Sequence, residues 1–299
     1  MSKVTKVILI IVLSTVVIGG VIAAIGAMNG GFRNVAWTAY GFRTYNPEPF
    51  SKSFSNVKSM DVKVDACKLT ICEGSEFSIS GNYDSDIWDL QMDQQGDALT
   101  IKMVTRNGWG LIGIGFLNNN DYANMTITIP KGQKLENTSI NTDAGSADLG
   151  SLVSGKISLD NDAAFVEASS IKCDSLTLKM SAGKVKIDTI EATKDSQINL
   201  SAGDIEVGDG SLSGLILDVS AGNFSFAGKL ARSAKIDVSA GKAEFNLDQA
   251  VDQLNISASK SAGSIKVNGN NVSGTLGGSR SAIPVNVSVS AGNVTIYTR

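Results

Sequence analysis

The sequence contains no histidine. That absence removes most zinc sites, Ser-His-Asp triads and imidazole acid–base chemistry together. Cysteine is scarce: Cys67, Cys72 and Cys173 form no Cys-x-x-Cys pair, so neither a metal knuckle nor a thioredoxin-like dithiol is indicated. Three cysteines give no disulfide framework. Cys67 and Cys72 are either bridged or free, and buried thiols in a strand are the expectation. Glycine-rich phosphate loops and Ca²⁺-binding nonapeptides do not occur. The net charge is −3, and setting aside Lys3 and Lys6 makes the remainder more acidic still. No concentrated basic face is available for nucleic acid. Asp143, Asp148, Asp162, Asp204 and Glu206 are the carboxylates that a glycosidase-like acid–base pair would draw on, but they show no recurrent pairing. Aromatic residues, on which sugars commonly stack, make up only 6% of the chain. No catalytic, metal-binding or cofactor-binding residue is therefore assigned, and no cofactor is expected.

Small and β-branched residues abound beside 31 glycines, a mixture suited to strands with tight corners. One segment differs. Val7 to Met28 carries no charge, and as a helix it would span roughly 33 Å, about the thickness of a bilayer's hydrocarbon core. Lys3 and Lys6 precede it, which predicts a cytoplasmic N-terminus (1–6), a single-pass anchor (7–28) and an extracytoplasmic remainder. A cleaved signal peptide is the rival reading, with Ala23, Ala24, Gly26 and Ala27 near a cut. The apolar run exceeds the roughly 7–15 residues usual for a signal core, which favours the anchor. Residues 29–55, with Phe32, Trp37, Tyr40, Phe42, Tyr45, Phe50 and Phe54 beside Arg33 and Arg43, read as an aromatic stalk near the headgroups or as packing under the first coil.

A repeat governs the rest. Ser-Ala-Gly recurs at 181–183, 201–203, 220–222, 239–241, 261–263 and 290–292, with Asp143-Ala144-Gly145 as a degenerate copy and weaker echoes at Ala163 and Ala66. A near-constant period of about 20 residues signals a solenoid. Apolar residues alternate before each alanine (Leu176, Leu178, Met180) and change parity after it (Val185, Ile187). The same flip separates Leu217 and Val219 from Phe224 and Phe226, and Val62 and Val64 from Leu69 and Ile71. Strict alternation marks a strand with one buried face, and a parity change marks a corner that keeps the same side inward. The alanine is expected to point into the corner and the glycine to supply positive φ. The outward columns Lys184, Asp204, Asn223, Lys242, Ser264, Asn293 and Lys186, Glu206, Ser225, Glu244, Lys266, Thr295, taken in chain order, mostly avoid like neighbours, as a solvated parallel ladder prefers. The predicted fold is all-β: a parallel β-solenoid (β-helix) over 56–299 after one transmembrane helix. The Gly/Ser-rich stretch 268–281 is expected to be a longer loop or a modified rung.

Residues 107–120 interrupt the pattern. Trp109, Leu111, Ile112, Ile114, Phe116 and Leu117 stand among glycines. They form either a cap on the solenoid's open end or an exposed apolar contact for a partner or the membrane.

The run Phe54–Ile71 (FSNVKSMDVKVDACKLTI), then Ile127-Thr-Ile-Pro130, then the serial Ser-Ala-Gly strands resembles the bacterial DUF4097 family of suggested adhesins. The resemblance covers roughly 55–299. It implies a β-solenoid-like domain facing the cell surface and no catalytic motif. Relatives with one N-terminal membrane segment look like accessory proteins of cell-envelope stress systems. The insertion at 107–117 departs from the family pattern. The expectation is a non-catalytic scaffold that meets an envelope protein or cell-surface polymer. The alternatives are a carbohydrate-active β-helix enzyme and a purely structural spacer.

Overall fold

A computed structural model describes residues 15–16, 19–21, 35–38, 41–44, 46–106, 123–279 and 282–299. In chain order the strands are β1 (Val35–Thr38), β2 (Gly41–Thr44), β3 (Glu48–Phe54), β4 (Ser59–Val64), β5 (Cys67–Gly74), β6 (Phe77–Tyr83), β7 (Trp88–Gln95) and β8 (Ala98–Thr105). After the insertion come β9 (Asn124–Pro130), β10 (Leu135–Thr142), β11 (Gly145–Asp148), β12 (Ser151–Asn161), β13 (Phe165–Met180), β14 (Lys184–Leu200), β15 (Asp204–Val219) and β16 (Asn223–Val238). The last group is β17 (Lys242–Leu247), β18 (Leu254–Lys260), β19 (Ser264–Val267), β20 (Asn270–Asn271), β21 (Gly274–Gly277), β22 (Ile283–Val289) and β23 (Asn293–Thr298).

The buried residues trace the coil. Along β13 the inward side chains are Val166 and Ala168, then Ile171 and Cys173, then Leu176, Leu178 and Met180; Val185 opens the next coil. Steps of two mark straight runs. The odd steps, 168 to 171, 173 to 176 and 180 to 185, are corners at which parity changes while the same side stays inward. Each middle coil therefore has three faces. Face A precedes the Ser-Ala-Gly corner, face B follows it, and face C returns. Stacked coils pair in parallel with partners one repeat apart in sequence, as in Ile157↔Leu176, Leu178↔Ile198 and Ile205↔Phe224. The core is thus a set of axial columns of Val, Ile, Leu and Phe, each side chain contributing about 1.5–3 kcal/mol by leaving water.

The Ser-Ala-Gly corner holds for a different reason from the one expected. The alanines face outward: Ala202, Ala221, Ala240, Ala262 and Ala291 are exposed and Ala182 is half-buried. The inward residue before the corner is Met180, Leu200, Val219, Val238 or Val289. Crowding acts on the glycine instead. A Cβ at Gly222 would fall on the carbonyl oxygen of Gly203 in the coil below, and Gly222 itself has φ +133°. The two backbones approach too closely at this corner to leave room for a side chain on Gly222. The backbone bonds Ser220 N–H to Leu200 O and Ala221 N–H to Ser201 O continue the ladder around the turn. In one coil Asn161 substitutes for this device. Buried at the corner, it donates to Ala164 O, accepts from Ala164 N–H and accepts from the Thr142 hydroxyl, which is why the repeat around Ala163 is degenerate.

Coil order departs from chain order at both ends. At one end β8 and β9 form the outermost parallel coil, stacked on β4 and β5, which in turn stack on β10 and β11. This end is closed by antiparallel strands: β7 on β8, β6 on β9, and β3 on β6. The main sheet accordingly begins at Glu48, inside the stretch read as a stalk, while β1 and β2 form a separate antiparallel pair. Trp88 is fully buried there and donates its indole N–H to Asp65 O at 3.2 Å. At the other end β22 and β23 lie between β16/β17 and β18/β19, and the loop 268–281 adds β20 and β21 antiparallel to β19 and β18.

Face C stops before this end. Gln249 completes its last turn by accepting Leu230 N–H and donating to Leu230 O. Phe224, Phe226 and Phe245 fill the interior where the face withdraws, with ring centroids 5.5 and 6.3 Å apart.

Thr15–Val16 and Gly19–Val21 are helical. Among the described residues no helix is long and apolar enough to cross a membrane. The anchor expected at 7–28 lies almost wholly outside them, as does the insertion 107–120.

Candidate functional site

The outward columns are ladders of short polar side chains and neutralised charges. On face B, Asp204 accepts from the Asn223 amide at 2.7 Å, Glu206 pairs with Lys184 at 3.3 Å, and Lys242 pairs with Glu244 at 2.7 Å. Asp148 accepts from Gly150 N–H at 3.0 Å. The expected columns hold as far as Lys242 and Glu244; beyond them the expected order is overturned, because Asn293 stacks between Lys242 and Ser264, and Thr295 between Glu244 and Lys266. On face A, Ser139, Ser158 and Thr177 flank a shallow groove of about 360 Å³ together with Ser59, Asn137 and Ser175. Asp143, Asp148, Asp162, Asp204 and Glu206 do not line this groove.

Three carboxylates do share one column. Asp65, Asp143 and Asp162 occupy the serine slot of successive corners, as the bonds Asp143 N–H to Val64 O and Asp162 N–H to Thr142 O show. They are spaced by about one coil, ~4.8 Å. Asp162 accepts from the Ser181 hydroxyl, and Lys63 lies 3.9 Å from Asp143. Burial, then the hydrogen bond and charge of Asp65, push the Asp143 carboxyl up to about 6. Sequence reasoning misses Asp65, although an aspartate before Ala66, Ala144 and Ala163 is a readable signal. Among the described residues no cluster could hold a metal ion.

The cysteines are free. Cys67 and Cys72 lie five residues apart on β5, which puts them on opposite faces and roughly 16 Å apart, too far to bridge. Burial pushes the Cys67 and Cys173 thiols up to about 12, so both are inert. Cys72 is exposed, contrary to the expectation of buried thiols, with its sulfur 3.7 Å from the Thr128 hydroxyl.

Trp109, Leu111, Ile112, Ile114, Phe116 and Leu117 lie outside the described residues, but both roots of their segment are fixed. Arg106 donates its N–H to Ile87 O and pairs with Asp89 at 3.8 Å. The segment therefore leaves at the Ser-Ala-Gly position of the outermost coil, since Met103 pairs with Val64 and Asn124 with Lys68. The chain arriving from the N-terminal side enters beside its return. Pro49, Asn82 and Asn124 stand side by side across β3, β6 and β9, two strand spacings or ~10 Å in all. Buried Asp84 fixes this entry by accepting Asn46 N–H at 2.8 Å and Asp86 N–H at 2.9 Å.

No curated protein matches the chain. Solved structures similar to it include a suggested lipid-binding protein from Parabacteroides distasonis (16% identity, 85% of this chain and 97% of that one, TM-score 0.43). Others are a suggested adhesin from Bacteroides fragilis (11%, 84% and 97%, TM-score 0.39) and a suggested cell adhesion protein from Clostridium sporogenes (15%, 85% and 100%, TM-score 0.29). The model of the family Toastrack DUF4097 matches residues 57–297, and with its serial corners and all-β coils the chain belongs to that family.

Proposed function

We propose that the protein is a membrane-anchored, extracytoplasmic and non-catalytic binding scaffold. It is adhesin-like or accessory to a cell-envelope stress system, and its contact is made by the apolar segment 107–117. One observation carries this reading: the N-terminal segment and the insertion are rooted ~10 Å apart on the same end of the stack. An anchor at 7–28 would hold that end toward the membrane, where Trp109, Ile112 and Phe116 suit the headgroup region or a membrane-embedded partner. Edge protection does not call for the segment, because β3, β6 and β7 already cover the outermost coil. The rigid solenoid would then present its polar faces outward, away from the bilayer.

The test places a photo-crosslinking residue at Ile112 or Phe116 of the full-length protein in its native membrane, with Ser288 at the far end as control. The expected result is capture of lipid or of one membrane protein from Ile112 and Phe116 only. Equal capture from Ser288, or none from either loop position, would remove the contact reading.

A further inference from the structure

The far end of the stack contains a dependence that the linear repeat hides. β18 and β19 come before β22 and β23 in sequence, yet among the described residues their strand pairing reaches the body of the solenoid only through them. On face A, Val238 pairs with Val289, and Val289 pairs with Lys260. On face B, Lys242 pairs with Asn293, and Asn293 pairs with Ser264. No ladder joins β18 to β16 or β19 to β17 among the described residues. The corner bonds repeat the order: Ala291 N–H donates to Ser239 O, and Ala262 N–H donates to Ser290 O. The glycines agree, since a Cβ on Gly292 would meet Gly241 O and one on Gly263 would meet Gly292 O.

We propose that β22 and β23 are a keystone pair, so that 254–298 forms a separable two-coil module whose strand pairing to the solenoid is the interface of β22 and β23 with β16 and β17, beside the connecting segment 248–253. The outer coil has its own tie, β22 and β23 on one side and the short β20 and β21 on the other. Loosening the keystone therefore frees both coils, whereas loosening the outer coil frees only itself. Opening at the keystone leaves the edges of Ala234–Val238 and Lys242–Leu247 bare, the kind of unpaired parallel edge to which another strand can add. The module stays tethered through residues 248–253, which join β17 to β18 and could span up to roughly 20 Å when extended.

Native-state hydrogen exchange on the full chain tests this directly. Val287 is buried between Ile236 and Ala258, and Ile256 is buried in the outer coil. Val287→Ala should raise amide exchange about tenfold in both 254–267 and 283–298 and leave 204–219 unchanged. Ile256→Ala should raise it in 254–267 alone. A rise confined to 283–298 with Val287→Ala, or equal rises in both segments with Ile256→Ala, would overturn the proposal.

A second arm does not depend on a destabilised variant. The exposed corner residues Ala240 and Ala291 are stacked neighbours, so Ala240→Cys with Ala291→Cys, in a Cys72→Ser background, should oxidise to a crosslink. Crosslinking should slow exchange of 283–298, while 254–267 keeps whatever local opening the outer coil has by itself. Wild-type exchange of 283–298 in the crosslinked protein would show that β22 and β23 open without parting from β16 and β17, against the proposal.

Discussion

Between Leu135 and Leu247 the coils follow one another in chain order, whereas at both ends a coil is overtaken by a later one. In the middle, stacked partners such as Ile205 and Phe224 are a single repeat apart. At the far end Val238 meets Val289, and at the opposite end Ser59 meets Ala98, each with a further coil's length of chain in between. The middle is held by one repeated device, glycine against glycine with a carbonyl ladder. The ends are held by individual residues: Trp88 on Asp65, Asp84 on Asn46, Gln249 on Leu230. A repeat needs only its neighbour to be complete, but an end has no neighbour, so its polar edge must be met by something outside the repeat. On the reading proposed above, the difference also separates two tasks, the middle setting length and stiffness and the ends carrying the candidate contact and the separable module.

Glycine gives the sharpest way to break this contrast. Gly222→Val puts a branched side chain at φ +133° and against Gly203 O. The loss expected is about 4 kcal/mol or more, enough to abolish cooperative folding in urea. Gly96 turns between β7 and β8 at φ +65°, and a Cβ there would meet nothing within 4 Å. Gly96→Ala should cost only about 1 kcal/mol, from the left-handed backbone alone. Equal losses at the two sites would mean that close stacking is not what the corner glycine provides.

Much of the middle is legible in the sequence because parity is a local property. Leu176, Leu178 and Met180 declare their inward side whatever lies above them, and the outward columns Lys184, Asp204 and Asn223 follow once the period is known. Alternation cannot say which coil sits on which. Ile256 and Val285 are both inward β-branched residues in matching positions, and nothing in either strand marks one as outermost. The corner alanine is misplaced by the same reasoning because a parity change has two solutions, one that tucks the small residue in and one that leaves it out. The carbonyl of the coil below decides, and it is invisible in a single repeat. The acidic column is readable from Asp65, Asp143 and Asp162 in the serine slot, yet their proximity needs the coil order as well.

That column supplies an effect of intermediate size. The Asp143 carboxyl is pushed up from 3.8 to about 6, first by burial, then by the hydrogen bond and charge of Asp65, with Lys63 pulling the other way and Asp162 adding to the rise. A raised carboxyl binds its proton more tightly in the fold than in the unfolded chain. Its contribution is therefore fully present below about pH 4 and is lost as pH rises to about 6. Asp143→Asn removes that loss. Because the side chain is 37% exposed, solvent screening reduces the gain to about 1 kcal/mol at pH 7, with none at pH 4. Urea titrations across this range check it. A variant less stable than wild type at pH 7 would mean that attraction to Lys63 outweighs the stacked carboxylates.

The smallest effect belongs to the polar ladders of the middle. Lys184 and Glu206 sit on neighbouring coils 3.3 Å apart, both well exposed. A double-mutant cycle with Lys184→Ala and Glu206→Ala should give a coupling under about 1 kcal/mol that fades in 1 M NaCl. Such a value would place these charges as solubility and edge protection on a scaffold whose stability lies in its columns and corner glycines. A coupling above about 2 kcal/mol that persists in salt would instead make face B an ordered charge array. The division of labour between a plain middle and specialised ends would then have to be redrawn.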